Sequence, residues 1–280
     1  MNISCKKKRI EFDFYIKKQI SNKYDNWINS LNEEIGYWNN YLSTGGGDYR
    51  EDFEFRLKLD TKIKDRDVLL SNKISEISKK DIVLLDVGSG PLTNLGKIVE
   101  GKSLEIIACD PLAGAYKKII NKVGIKPPVE TIFADCENLS HFFEKESFDA
   151  IHCANALDHS YDPVGGICEM LSILKNDGFI HLGHFENEAE AEKYSGLHQW
   201  NFTEKDSKFI IWNKSVELDL SSYLGEIANI RIERIAQVPK DWLVVSITKN
   251  TTSDTFLSDR STTLGIKYQT LVNHHCQNFI

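Results

Sequence analysis

Residues 82–96 read IVLLDVGSGPLTNLG: an apolar run through Asp86, a turn at Gly88-Ser89-Gly90, and then a segment read as helix over 92–100. Glycine at such a turn adopts dihedrals that other residues avoid and lets the backbone approach a ligand closely. Four more apolar runs follow: LEIIACD (104–110), VETIFAD (129–135), FDAIHCANAL (148–157) and GFIHLGHF (178–185). Helical patterns at 113–123, 138–143 and 163–174 separate them. Such alternation requires crossover connections, which are right-handed, and a parallel sheet covered on both faces. The expected fold class is therefore α/β, doubly wound and mostly parallel. Three later runs, FIIW (209–212), IRIERIA (230–236) and WLVVSIT (242–248), have short links and are expected to close that sheet antiparallel.

In doubly wound sheets ligands lie beyond the carboxyl ends of the strands. The second run ends at Asp110, twenty residues after Gly90 and just before Pro111, where a carboxylate can accept hydrogen bonds from both ribose hydroxyls. The third ends at Asp135, beside Cys136 and placed to receive an adenine amino group. A nicotinamide cofactor expects G-x-G-x-x-G, but the third position holds Thr93. A P-loop is excluded too, since no Gly-Lys-Ser/Thr follows.

Asp86-x-Gly88-x-Gly90 instead resembles the first motif of class I S-adenosylmethionine-dependent methyltransferases. Asp110 resembles their ribose acid, Ala134-Asp135-Cys136 their adenine-side loop, and FDAIHCANALDHSYDP (148–163) their fourth motif, with Asn155 inside it. The resemblance covers about residues 80–250 and implies seven strands, an antiparallel hairpin among the last of them, and S-adenosyl-L-methionine as cofactor. It departs at the third glycine position, which is Leu92 behind Pro91, so the loop should be stiffer. The cofactor set is Asp86, Gly88, Ser89, Gly90, Asp110, Pro111, Asp135, Cys136 and Asn155. Arg56, with Tyr37 and Tyr41, is a candidate for the donor's amino-acid end, where a guanidinium would pair with a carboxylate.

Methyl transfer from a sulfonium needs an aligned acceptor and, for a hydroxyl, removal of its proton. His159 is the candidate base, Asp158 its partner, and His198 a further catalytic candidate in the loop of Tyr194 and Trp200. Asp158 equally suits a helix cap. His152 and His181 sit within strands and read as core histidines, and Glu190 and Glu192 as a solvated face. Asp158 with Glu186 and Asn187 also fits a magnesium-type oxygen set. The His159 route needs no metal, and none is assigned.

Ahead of the sheet, residues 1–80 read as a helical cap. Trp27, Leu31, Ile35, Trp38 and Leu42 step by four, four, three and four along one helix face, which Gly45-Gly46-Gly47 ends. A second helix is expected near 65–78. The core is then 81–249 and a polar appendage 250–280.

With 41 acidic against 34 basic residues among 280, the net charge of −7 disfavours a long nucleic-acid footprint. The run Lys6 to Arg9 reads as a solvated terminus, no apolar stretch is long enough for a membrane span, and the start lacks an export signal's apolar region. Six cysteines without a C-x-x-C pair point to reduced thiols in a cytoplasmic protein. The expected function is O-methylation of a small molecule, with a carbohydrate, nucleotide sugar or glycan precursor as acceptor. The alternatives are methylation of a lipid or other metabolite, at oxygen or nitrogen, and a non-catalytic subunit of the same fold.

Overall fold

The computed structural model describes residue 27, residues 30–237 and residues 240–250. The Lys6–Arg9 run and the 250–280 appendage, apart from Asn250, lie outside the described residues.

Seven strands form the main sheet in the order β3-β2-β1-β4-β5-β10-β9. These are β1 (Asp81–Val87), β2 (Ser103–Cys109), β3 (Thr131–Ile132), β4 (Phe148–Ala154), β5 (Leu174–Phe185), β9 (Ala228–Ile235) and β10 (Trp242–Lys249). β10 runs antiparallel to both neighbours, while β1 to β5 are parallel. The strand order reverses between β1 and β4, which opens a crevice at their carboxyl ends. β1 is buried almost throughout, as a central strand covered on both faces must be.

The remaining strands, β6 (Asn201–Lys205), β7 (Lys208–Asn213) and β8 (Val216–Asp219), form a separate antiparallel sheet. This corrects the expectation for 209–212, which is the middle strand of the small sheet. Its partners NFTEK and VELD are short and polar, so no apolar run announced them. Asp206 and Ser207 both have positive φ at the β6–β7 turn, the backbone form that tight hairpins need.

A second correction concerns 92–100, which is irregular and not a helix. Thr93 Oγ1 donates to Asp86 Oδ2 at 2.5 Å and accepts from the Leu95 amide, which turns the chain away from helical bonding. Lys97 and Ile98 then donate to the Thr61 carbonyl, and Ile63 donates to that of Ile98. A Cβ on Gly96 would lie 2.2 Å from the Lys62 carbonyl carbon. This segment is therefore an extended contact with the N-terminal region. The stretch 138–143 is likewise a 3-10 turn, Cys136–His141, and the third run retains only two strand residues.

The N-terminal region is helical: α1 (30–43), α2 (Arg50–Leu57) and α3 (Val68–Glu76). Asp67 caps α3 by accepting from the Leu70 amide. Trp27 and Leu31 share one apolar core with Leu85, Val87 and Ile151, while Ile63, Leu70 and Ile74 pack on Ile82 and Leu84. These helices have no core of their own. Helices α4 (Ala113–Val123) and α5 (Pro163–Ile173) pack in the same apolar core as Trp27 and Leu31, and two short helices, α6 (Glu188–Ala191) and α7 (Leu220–Leu224), flank the small sheet.

Candidate active site

The crevice is built on the turn after β1. Gly88 and Ser89 donate their amides to the Cys109 carbonyl, and the Gly90 amide donates to Asp110 Oδ2 at 3.0 Å. Asp110 Oδ1 accepts from the Leu112 amide at 2.8 Å, so one buried carboxylate ties the ends of β1 and β2 together. Ser89 Oγ and Thr131 Oγ1 both donate to the Gly90 carbonyl. Under this turn Asp86 accepts from Thr93 and pairs with His152 Nδ1 at 2.7 Å. Asp86 and His152 thus hold the turn from below. His181 pairs with Asp67 at 2.7 Å, so both strand histidines are core residues.

The loop after β4 closes the other side. Gly88 has φ +68°, and a Cβ there would stand 2.4 Å from the Ala156 Cβ. A Gly88→Ala variant combines left-handed strain with that overlap and is expected to lose about 1–3 kcal/mol. Its melting temperature and its affinity for S-adenosylhomocysteine should both fall, measured by thermal shift and calorimetry.

Asn155, with φ +48°, donates its amide to the Gly183 carbonyl and keeps a buried Oδ1 without a hydrogen-bond partner. At the third strand's end, Asp135 Oδ1 accepts from Asn138 Nδ2 at 2.6 Å, and Cys136 Sγ donates to Glu137 Oε2. Pro111 follows Asp110 at the crevice rim, half-buried.

Burial pushes the Asp110 carboxyl up to about 7 and Asp135 up to about 6. Asp110 faces Glu34 and Asp86, which push the same way, while Asp135 faces Glu169, which raises it, and His141, which lowers it. In both, the folded state holds its proton more tightly than the unfolded chain. That contribution to stability is complete below about pH 4 and is lost as pH rises through about 6–7. Melting of the ligand-free protein between pH 5 and 8 should show it, and Asp110→Asn should flatten the profile.

Helix α1 lies over the turn. A Cβ on Gly90 would stand 2.7 Å from Trp38 Cζ2, so the indole packs on this glycine. Trp38 Nε1 donates to Glu34, and the Arg56 guanidinium sits 5.7 Å from the Trp38 ring. Arg56 itself pairs with Asp52 at 2.6 Å and donates to the Leu92 carbonyl at 2.6 Å. Tyr41 donates to Asp52 and Tyr37 is half exposed. The sequence read Trp38 only as an anchor of the α1 face, and nothing local to it signals a place above Gly90.

The catalytic candidates converge. His198 Nδ1 lies 2.9 Å from Asp158 Oδ2 and 3.2 Å from His159 Nε2, and His159 Nε2 lies 3.5 Å from the same oxygen. The Gln199 amide donates to the Asp158 carbonyl and Trp200 Nε1 to that of Ser160, so the segment leading into β6 is laced along 158–160. Burial works against the charge on Asp158, but His159 and the His198 hydrogen bond hold it down to about 2. Burial likewise opposes the charge on His198, yet Asp158 raises its pKa. Asp158 is fully buried, whereas His159 and His198 keep 21% and 25% of their side chains exposed.

Trp200 is core, with no exposed surface, so it is not available to a substrate. Glu186 accepts from Thr203 and Arg234, and Asn187 from Trp212. These contacts tie the two residues to the small sheet and to β9, and the cluster at Asp158 takes in His159 and His198 and not Glu186. His184 is buried, with neither ring nitrogen hydrogen-bonded, and burial lowers its pKa to about 4.

Residues 85–182, from β1 into β5, match a family model described as a methyltransferase domain. No curated protein matches the chain. Among solved structures it is similar to an S-adenosylmethionine-dependent methyltransferase from Aquifex aeolicus, at 16% identity over 63% of this chain and 88% of that one, with a TM-score of 0.38. It is also similar to the CurJ carbon methyltransferase, at 15% identity over 85% and 71%, with a TM-score of 0.49. A third is the 1,6-didemethyltoxoflavin-N1-methyltransferase of Burkholderia thailandensis with bound S-adenosylhomocysteine: 14% identity, 79% and 90%, TM-score 0.42.

The residues at this turn fit S-adenosylmethionine, the cofactor expected from the sequence. Gly88 and Gly90 both hold positive φ at the turn, Asp110 and Asp135 end the neighbouring strands, and the bare Asn155 Oδ1 is a buried acceptor awaiting a donor. Among the described residues no helix is long and apolar enough to cross a membrane.

Proposed function

We propose that the chain is an S-adenosylmethionine-dependent methyltransferase that methylates a hydroxyl of a small molecule, with a carbohydrate or nucleotide-sugar precursor as the acceptor class. The observation that supports it is the convergence of His159, His198 and Asp158 on the loop that abuts Gly88. A hydroxyl has a pKa far above 7, and the group that takes its proton must sit where the methyl is delivered. His159 is that group in this reading, with Asp158 and His198 beside it. The partly exposed imidazoles suit a polar, hydroxyl-rich acceptor better than an apolar one.

The cofactor brings a methyl group already activated on a sulfonium. Asp110 would receive the ribose hydroxyls and Asp135 with Cys136 the adenine edge. Gly88, Ser89, Gly90 and Pro111 would form the walls, with Asp86 beneath and Asn155 accepting from the donor's amino end. Arg56 would bind the carboxylate only by releasing Asp52 or Leu92. Residues 1–80 act as a cap over this crevice, 81–249 as the catalytic core and 250–280 as an appendage. The net charge of −7 suits a small acceptor better than nucleic acid, and cysteines left as free thiols support a cytoplasmic setting.

The test is incubation with isotopically labelled methyl donor and a panel of nucleotide sugars, free sugars and cell-extract metabolites. A methyl ether located by NMR is the expected product. Transfer only to nitrogen or carbon, or binding of S-adenosylhomocysteine without any transfer, would overturn the reading.

A further inference from the structure

The geometry points to a divalent transition-metal site formed by Asp158 Oδ2, His159 Nε2 and His198 Nδ1. The three atoms make a triangle with edges of 2.9, 3.2 and 3.5 Å. Hydrogen bonding does not close such a triangle. A neutral imidazole nitrogen carries at most one proton, and the proton that His198 gives to Asp158 is not available to His159. If both facing nitrogens carried protons, they would repel across 3.2 Å.

One cation satisfies all three contacts together. Ligands about 2.0–2.1 Å from a metal stand about 2.9 Å apart in an octahedral site and about 3.3 Å apart in a tetrahedral one. The observed edges bracket those values, and all three atoms lie within 4.8 Å of one another.

A second observation points the same way. Asp158 Oδ1 is buried without a partner, and so are both ring nitrogens of His184, which lies close enough to feel the charges of Asp158 and His159. Bare buried polar atoms are costly unless something occupies the space they face. Asp158 Oδ1 is available as a second ligand oxygen or as an acceptor for a metal-bound water.

The donor set also selects the metal. Two imidazoles and one carboxylate suit zinc, iron(II) or cobalt(II), whereas magnesium and calcium prefer oxygen throughout. Three protein ligands leave positions open, and His159 and His198 both keep part of their side chains exposed. An acceptor hydroxyl held there would lose its proton more easily. This deepens the function proposed above and rests on it for its purpose: His159 would act as a ligand on the ion and not as a bare base.

The experiment uses tag-free full-length protein stripped with EDTA and dialysed. Cobalt(II) is titrated with visible absorption as the readout, followed by displacement with zinc and calorimetry of zinc alone. One equivalent should bind, with a d–d band that zinc abolishes. His159→Ala and His198→Ala should each weaken zinc at least about tenfold, while His141→Ala, a surface histidine, should not. S-adenosylhomocysteine affinity of each variant checks that it is folded. Wild type that binds zinc no better than the His159→Ala/His198→Ala double variant would overturn the site. Methyl transfer undiminished by EDTA but abolished by His159→Ala would also overturn it and leave the base reading standing. One bound zinc with no transfer to any acceptor would keep the site and overturn the proposed function.

Discussion

His159→Ala is expected to lower kcat by about 10²–10⁴-fold with the true acceptor, the range that assistance in removing a proton contributes. The ring stands 3.2 Å from His198 and 3.5 Å from Asp158, on the loop whose Ala156 touches Gly88. His159 is not among the cofactor's expected contacts, so affinity for S-adenosylhomocysteine should barely move. Steady-state kinetics and calorimetry on the same preparation separate the two quantities. His159→Asn keeps a hydrogen-bonding side chain and tests whether polarity alone suffices. If His159→Ala keeps most of its kcat, the assignment passes to His198 or to catalysis by alignment alone. Slow hydrolysis of the donor is no substitute assay, because it does not involve the acceptor's proton.

Asp110→Ala is expected to weaken S-adenosylhomocysteine at least tenfold. Hydrogen bonds to a charged group contribute about 1.5–3 kcal/mol each, and the carboxylate would lose both ribose hydroxyls. The structure adds a cost visible before any ligand arrives. Asp110 also receives the amides of Gly90 and Leu112, so its removal leaves two backbone donors unpaired at the turn. Some loss of melting temperature should therefore accompany the loss of binding. Asp110→Asn retains one acceptor oxygen and separates the two effects: it should recover more of the melting temperature than of the affinity. Unchanged affinity in Asp110→Ala would remove the ribose assignment.

The turn between β1 and β2 was legible because its residues report on their own backbone. Gly88 and Gly90 stand where the chain takes positive φ, and Asp110 ends a strand whose partner ends at the glycines. The apolar runs marked β1, β2, β4 and β5 as strands, and β1 and β4, buried almost throughout, are apolar at most positions. The α1 face was legible as well: Trp27, Leu31 and Leu42 are buried as the spacing requires.

What the sequence could not decide was anything fixed by partners far along the chain. The 92–100 stretch has apolar residues at helical spacing, yet Thr93 is bound to Asp86 and Ile98 to Thr61 and Ile63, so tertiary hydrogen bonds outweigh a weak propensity. The run 209–212 looks like any strand. Its membership of the small sheet depends on a hairpin whose other members are polar. Trp200 gave no sign that its indole would be bound to Ser160 and not to substrate. The candidate centre shows the same division. Asp158 and His159 adjoin in sequence, but His198 reaches them because the segment entering β6 is laced along 158–160. Residue type and local spacing determined the sheet and the cofactor turn, because those depend on burial and backbone dihedrals at neighbouring positions. The triangle of two imidazoles and a carboxylate was decided by tertiary structure, because one of its corners is brought from 39 residues away.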